Sequence, residues 1–259
     1  MMYSSYGELC TEVYDLSKPI NPTSSDVKYY IERLSHVKGK VLEVGCGSGR
    51  VLIPLLQAGI AVDGLDHSIP MLESCRSRCK ELNLSPHLIE GEMHDFNITG
   101  QYDAIIIPGG TFQLIEGREQ AMRTLDHLHA CLSPGGSLIM DLFIPSDFNT
   151  DMTITKTYET SNQEVIVLED KRIECNILEQ KMVSLLKYEK WKDGSLLKSE
   201  LQRLPLSWYG RYEFEFMLKE LDYQEVTISA EYCYKNSPTI AGQMMTYEAI
   251  KAVDVNESS

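Results

Sequence analysis

The sequence predicts an α/β protein, a doubly wound and mainly parallel sheet interrupted by an antiparallel β insertion. Three observations lead there. Apolar strand-like segments alternate with helical ones from about Val41 to Phe143. The first of those strands runs straight into a glycine-spaced loop, "VLEVGCGSGR" at 41–50. From about Thr153 the texture changes to long successive strand signals, and helical periodicity returns only near Arg211. Alternation of strand and helix requires a parallel sheet covered on both faces, whereas consecutive strands joined by turn residues read as hairpins.

Taken in order, the chain opens with an N-terminal helical segment, 1–36, which includes "EVYDLS" at 12–17. Val41–Val44 is the first buried strand. Val51 to Gln57 reads as a short helix that Gly59 can end in the left-handed conformation. "IAVDGLD" is a second strand ending at Asp66, with Ser68 placed as N-cap and Pro70 in the first turn of the next helix. "HLIEGEM" and "YDAIIIP" supply the third and fourth strands. A helix from Arg118 to about Leu132, a turn at "SPGG" and the strand "SLIMDLF" complete a core spanning 37–149. The insertion, 150–207, comprises "TITKTYE", "QEVIVLEDKRIE", "ILEQKMVSLLKYEKW" and "SLLKSELQRLPL", with Asp193-Gly194 as a hairpin turn. Residues 208–259 return to the core through the helix "RYEFEFMLKEL" and the strands "YQEVTISAEY" and "MMTYEAIKAV", and "NESS" is expected to be a frayed tail.

Composition bounds the function. With 259 residues and 43% apolar content the chain can bury a sizeable core. No basic start followed by an apolar segment is visible, so no secretory signal is expected, and no apolar run approaches the roughly 20 residues that span a bilayer. Seven cysteines without a C-x-x-C pair suit a reducing compartment, so the expected location is the cytoplasm. Cys75 and Cys79 lie one helical turn apart, but without a second ligand pair no metal site is expected. A formal charge of -14 without a basic run repels phosphate backbones, so nucleic acid is not the expected partner. The Lys/Arg segments "CRSRCK" and "KYEKWK" read as solvated faces of a helix and a strand.

The glycine loop carries the chemistry. Glycine lets a second molecule approach the main chain, and two nucleotide-binding patterns use it after a strand. The dinucleotide fingerprint is G-x-G-x-x-G. Here Gly45, Gly47 and Gly49 give G-x-G-x-G with Arg50 in the third fingerprint position, and Glu43 completes E-x-G-x-G-x-G. This pattern resembles the first motif of class I S-adenosylmethionine-dependent methyltransferases. Asp66, at the end of the second strand, suits a ribose with two hydroxyls but would also serve NAD. By the resemblance, "DHSIPML" grips the ribose through Asp66 and packs His67 and Met71 on the adenine. "GEMHDF" is similar to the family's adenine-end motif, with Glu92 accepting from the adenine amine and the N–H of Met93 donating to the ring; Asp95 is a second acid there, and His94 stands beside them. "YDAIIIPGGTF" looks like the strand that runs up to the methionine end, placing Ile107 and Pro108 near the methyl group. The Asn/Asp-Pro-Pro motif of enzymes that methylate nucleic-acid amines is absent.

The insertion resembles that of small-molecule members such as glycine N-methyltransferase and the sugar amino N-methyltransferases. The resemblance implies a seven-stranded Rossmann-like methyltransferase sheet and S-adenosylmethionine as cofactor, in which Glu43, Gly45, Cys46, Gly47 and Gly49 hold the methyl donor. It further implies a small-molecule substrate methylated on nitrogen or oxygen and bound by Tyr14, Phe112, Trp208 and Tyr209. A hydroxyl substrate would need a base such as His94, Tyr14 or Tyr209; an amine need only arrive deprotonated. Two alternatives stand beside this reading, an NAD-dependent oxidoreductase and a S-adenosylmethionine-binding protein without catalysis. The substrate and the oligomeric state are not legible from the residues.

Overall fold

The structure is a computed structural model and describes residue 3, residues 5–96 and residues 102–253; the "NESS" tail lies outside them. Two N-terminal helices, α1 (Glu8–Ser17) and α2 (Ser25–Leu34), precede the sheet. Then β1 (Val41–Val44), α3 (Leu52–Gln57), β2 (Val62–Asp66), α4 (Ile69–Glu81), β3 (Leu88–Glu90) and β4 (Tyr102–Ile107) alternate. A 3-10 turn, Pro108–Leu114, leads to α5 (Arg118–Cys131) and β5 (Leu132–Phe143). The antiparallel insertion is β6 (Thr153–Glu159), β7 (Val165–Asn176), β8 (Lys181–Lys192) and β9 (Ser195–Ser207). The chain ends through α6 (Arg211–Glu220), β10 (Tyr223–Ala230) and β11 (Met244–Lys251). The second helix, α2, was not separated from the first in the sequence. The expected turn at "SPGG" is a bulge at the start of β5: Tyr102 pairs with Leu132, but Ala104 pairs with Ser137.

The seven-stranded sheet has the order β10-β11-β5-β4-β1-β2-β3, and β11 alone runs against the others. Pleating divides its core cleanly. Ile105 and Ile107 of β4 face the layer containing Leu125 and Leu128 of α5 and Phe214 of α6, whereas Ala104 and Ile106 face the layer built from α2, α3 and α4. Strand order reverses between β1 and β4, so the loops that follow them splay apart at their carboxyl ends and open a crevice there. The close approach of these two loops demands glycine: Gly45 has φ +71°, and a Cβ on it would lie 2.3 Å from the Thr111 side chain.

The insertion forms a separate four-stranded sheet, β6-β7-β8-β9. One of its faces packs on α1 through Ile166, Leu186 and Tyr188 against Leu9, Cys10 and Val13. Charges fasten the edges of that contact. Lys190 pairs with Glu12 at 3.0 Å and Glu164 at 2.7 Å, and Glu200 accepts from the Leu9 N–H at 3.0 Å, placing an anion at the α1 N-terminus. "KYEKWK" is therefore half packed: Tyr188 is buried and Lys190 is paired. The same correction applies to "CRSRCK", where Cys75 and Cys79 are buried and Arg78 pairs with Asp15 of α1 at 3.2 Å. Among the described residues, no helix is long and apolar enough to cross a membrane.

Several aromatic residues expected at the substrate belong to the core instead. Phe112 is fully buried and packs at 5.6 to 5.7 Å ring separation against Phe214 and Tyr209. Tyr209 lies under the Arg118 guanidinium at 4.2 Å. Trp208 is buried against Phe148. Truncating a fully enclosed ring leaves a cavity that its neighbours cannot fill, so Phe112→Ala should lose about 3–5 kcal/mol of unfolding free energy in urea titration. A loss below about 1 kcal/mol, with methyl transfer abolished, would return Phe112 to the site.

Candidate cofactor and substrate site

A cavity of about 530 Å³ lies where the loops after β1, β2, β3 and β4 converge, and α1 and β9 roof it. Its sheet side brings together Glu43, Gly45, Cys46, Gly47, Asp66, His67 and Met71, and the loop after β3 adds Glu92, Met93 and His94. Pro108 and Tyr14 also line it. Phe112, Trp208 and Tyr209 do not, for the packing reasons above. Ile107 points into the α5/α6 core layer, because one step of pleat separates it from the cavity-lining Pro108. Gly49 stands below the loop, where a Cβ would meet Cys75 Sγ at 2.8 Å and Ile53 at 2.9 Å; it admits helix packing rather than a ligand.

Asp66 organises the sheet side. One carboxylate oxygen accepts from the Gly47 N–H and the other from the Ser68 N–H, both at 2.8 Å. Burial raises the carboxyl above its ordinary value, and these two N–H groups and His67 oppose the shift. Ser68 caps α4 as expected, accepting from the Met71 N–H at 3.2 Å. Its hydroxyl also donates to the Tyr6 carbonyl at 2.7 Å. His67 Nε2 and Ser5 Oγ share a 2.7 Å hydrogen bond, so residues 5–6 lie along the β2 end of the cavity. No pattern among residues 1–10 signals this contact.

Glu43 is 2% exposed and its Oε2 has no hydrogen-bond partner. Burial pushes its carboxyl well above the usual range, opposed by the nearby Arg50 charge. Arg50 itself forms a close ion pair with Asp26 of α2. The residue that departs from the dinucleotide fingerprint is therefore a link between the glycine loop and the N-terminal helices. An unpartnered buried acid beside glycine backbone fits a ligand that carries an ammonium group, as S-adenosylmethionine does. Burial raises the Tyr14 hydroxyl, and Arg50 opposes the shift.

The turn after β4 is held from below. Asp141, on β5 and fully buried, accepts from the Gly109 N–H at 2.8 Å, the Tyr232 hydroxyl at 3.1 Å and the Thr246 hydroxyl at 2.7 Å. Desolvation pushes its carboxyl up to about 6 in spite of those donors. Gln113 then ties this turn to the roof: its amide donates to the Phe143 and Ser207 carbonyls at 2.9 and 2.8 Å, and its oxygen accepts from the Phe143 N–H. The roof contributes Gln202 to Leu206, none of which the sequence reading singled out. Arg203 makes a bidentate pair with Glu116, and Lys181 adds a third contact at 2.9 Å; hydrogen bonding from Arg203 leads in lowering Glu116 to about 2. Among the described residues no cluster of three or more potential metal ligands occurs.

Residues 41–136 match the family described as a methyltransferase domain. The chain also superposes on a S-adenosylmethionine-dependent methyltransferase from Clostridium acetobutylicum with a TM-score of 0.73, at 17% identity over 93% of this chain and 97% of that one. Residues 41–136 are thus a methyltransferase domain, carried on a fold that S-adenosylmethionine-dependent methyltransferases share. The chain's curated relatives include the cypemycin N-terminal methyltransferase of a Streptomyces species, 24% identical over 63% of this chain and 73% of the relative. Another is the dTDP-3-amino-3,6-dideoxy-alpha-D-glucopyranose N,N-dimethyltransferase of Streptomyces fradiae, 24% identical over 62% and 64%. The family match decides between the two readings of the glycine loop and sets the NAD reading aside.

The protein should show one pH signature from Asp141. Because its folded value lies above the ordinary 3.8 and near 6, the native state holds more protons than the unfolded chain in that interval. The stability contribution of Asp141 is therefore greatest at low pH and falls as pH rises through the interval. Urea denaturation of wild type and Asp141→Asn from pH 4 to 6.5 should show the wild-type advantage shrinking by roughly 1 kcal/mol per pH unit. A flat or growing difference would contradict the assignment.

Proposed function

We propose that the enzyme methylates an amine nitrogen of a small molecule by direct displacement. S-adenosylmethionine supplies a methyl carbon on a sulfonium, which a lone pair can attack without a covalent enzyme intermediate. The protein's part is alignment and exclusion of water. Asp66 would accept from the ribose hydroxyls with the lone pairs its backbone partners leave free. Met71, His67, Glu92 and Met93 would enclose the adenine, and Glu43 with the glycine-loop backbone would take the amino acid end. The methyl group would then face Pro108, Gly109 and the β9 roof.

One observation carries the choice of nitrogen. The tyrosines that face the cavity, Tyr6 and Tyr14, are both raised by burial, so neither is poised to take a proton from a hydroxyl. Tyr209 is raised to about 12 and lies in the core. His94 belongs to the loop beyond β3, at the sheet edge with β2 and β1 between it and β4. An amine that arrives neutral needs none of them. The Streptomyces fradiae relative is named for dimethylation at nitrogen, which agrees with this reading, while other curated relatives are named as O-methyltransferases. The -14 charge favours a small molecule over nucleic acid, and seven free cysteines favour the cytoplasm.

Transfer of labelled methyl from S-adenosylmethionine to a panel of amines and matched alcohols should label amines, with kcat/KM rising as the amine deprotonates. Labelling of alcohols alone would contradict the proposal, and cofactor binding without any transfer would favour the non-catalytic alternative. In calorimetry, Asp66→Ala should weaken S-adenosylmethionine and its demethylated product by about 10-fold to 150-fold while circular dichroism is unchanged. Unchanged affinity in the folded variant would remove Asp66 from the site.

A further inference from the structure

Among the described residues, two residues that line the cavity each carry a buried side-chain oxygen without a hydrogen-bond partner, Glu43 Oε2 and Gln202 Oε1. Glu43 rises from β1 beside the glycine loop. Gln202 descends from the roof, where it is 1% exposed. Its surroundings on that face of the insertion are satisfied or apolar. The cross-strand neighbour is Leu186, the next inward residue is Leu204, and Glu200 is occupied by the Leu9 N–H and Lys198. Ser207, at the end of the strand and on its opposite face, donates to the Ile115 carbonyl. An amide oxygen enclosed in this way and left without a donor destabilises the fold unless a ligand supplies the donor.

We infer that Gln202 is the residue that orients the methyl acceptor, its Oε1 receiving an N–H of the substrate amine. This rests on the amine reading above. β9 packs against the 108–114 turn that follows β4, and Gln202 lines the same cavity as that turn and the glycine loop. The chemistry also favours an amide here. A carboxylate in this position would stabilise the ammonium form and keep the lone pair occupied by a proton. A neutral amide oxygen accepts one N–H and leaves the lone pair directed at the methyl carbon. The nitrogen attacks carbon, the carbon–sulfur electron pair returns to sulfur, and the methylated ammonium then releases a proton to water. The inference further states that the acceptor must carry at least one N–H, so primary and secondary amines qualify and tertiary amines do not.

The test compares wild type with Gln202→Met, Gln202→Asn and Gln202→Glu. The probes are glycine, sarcosine, dimethylglycine, a 3-amino-3,6-dideoxyhexose nucleotide and a short peptide with a free N-terminus. Met keeps the volume and removes the unpartnered acceptor, so the melting temperature of the unliganded protein should stay level or rise and the affinity for S-adenosylhomocysteine should stay within about twofold. Against the amine that wild type methylates best, Gln202→Met should lose about tenfold or more in kcat/KM. Asn should recover part of that loss, and Glu should move the rising limb of the pH–rate profile to higher pH. A clear fall in melting temperature would make Gln202 a structural group, a matching loss of S-adenosylhomocysteine affinity would assign it to the cofactor, and unchanged transfer or methylation of dimethylglycine would overturn the inference. If wild type methylates none of the amines, the amine reading itself fails, and with it the assignment of Gln202 to an amine.

Discussion

The Asp66 carboxylate, shared between the N–H of Gly47 and the N–H of Ser68, is the contact on which the site depends. It joins the glycine loop after β1 to the start of α4 after β2, so one side chain fixes two loops and the dipole end of a helix. Those donors also offset part of the cost of burying the charge. Ser68 extends the chain of contacts to Tyr6, and Ser5 to His67, which brings the N-terminal segment down onto the same strand end. The cofactor cradle and the segment that covers it are thus one connected unit.

A second buried carboxylate plays the corresponding part on the other side of the switch point. Asp141 holds Gly109, and Gln113 binds both the end of β5 and the end of β9. The antiparallel insertion is therefore anchored to the turn that follows β4, with the Gln202–Leu206 stretch of β9 lining the cavity. The paired charges of Glu116, Arg203 and Lys181 secure the same corner. On the proposed function, the parallel sheet would keep the cofactor chemistry while the inserted sheet selects the substrate, since loops at the carboxyl ends of parallel strands are where ligand choice resides.

The alternation of strands and helices was legible because each element is short, bounded by a glycine or an N-cap, and patterned at its own period. Thr153 to Ser207 was legible for the opposite reason, as hairpins leave runs of β-forming residues with turns between them. Glu43, Asp66, Met71 and Met93 could be placed at the cavity since strand-end position fixes where they stand. Phe112, Trp208 and Tyr209 were misplaced because an aromatic near a strand end reads the same whether the pleat turns it to the cavity or to the core. Arg50 was noticed only as a departure from a fingerprint, and its ion pair with Asp26 depends on α2, which the sequence did not separate. Gln202 carried no local signal at all: its importance comes from being enclosed without a donor, which only three-dimensional packing defines.

The most direct measurement is a crystal structure of the protein with S-adenosylhomocysteine. The account requires the ribose hydroxyls within hydrogen-bond distance of Asp66, the amino group at Glu43 Oε2, and the sulfur facing the 108–111 turn with Gln202 on its open side. A ligand bound with its adenine beneath β9, or with Glu43 still unpartnered, would contradict it.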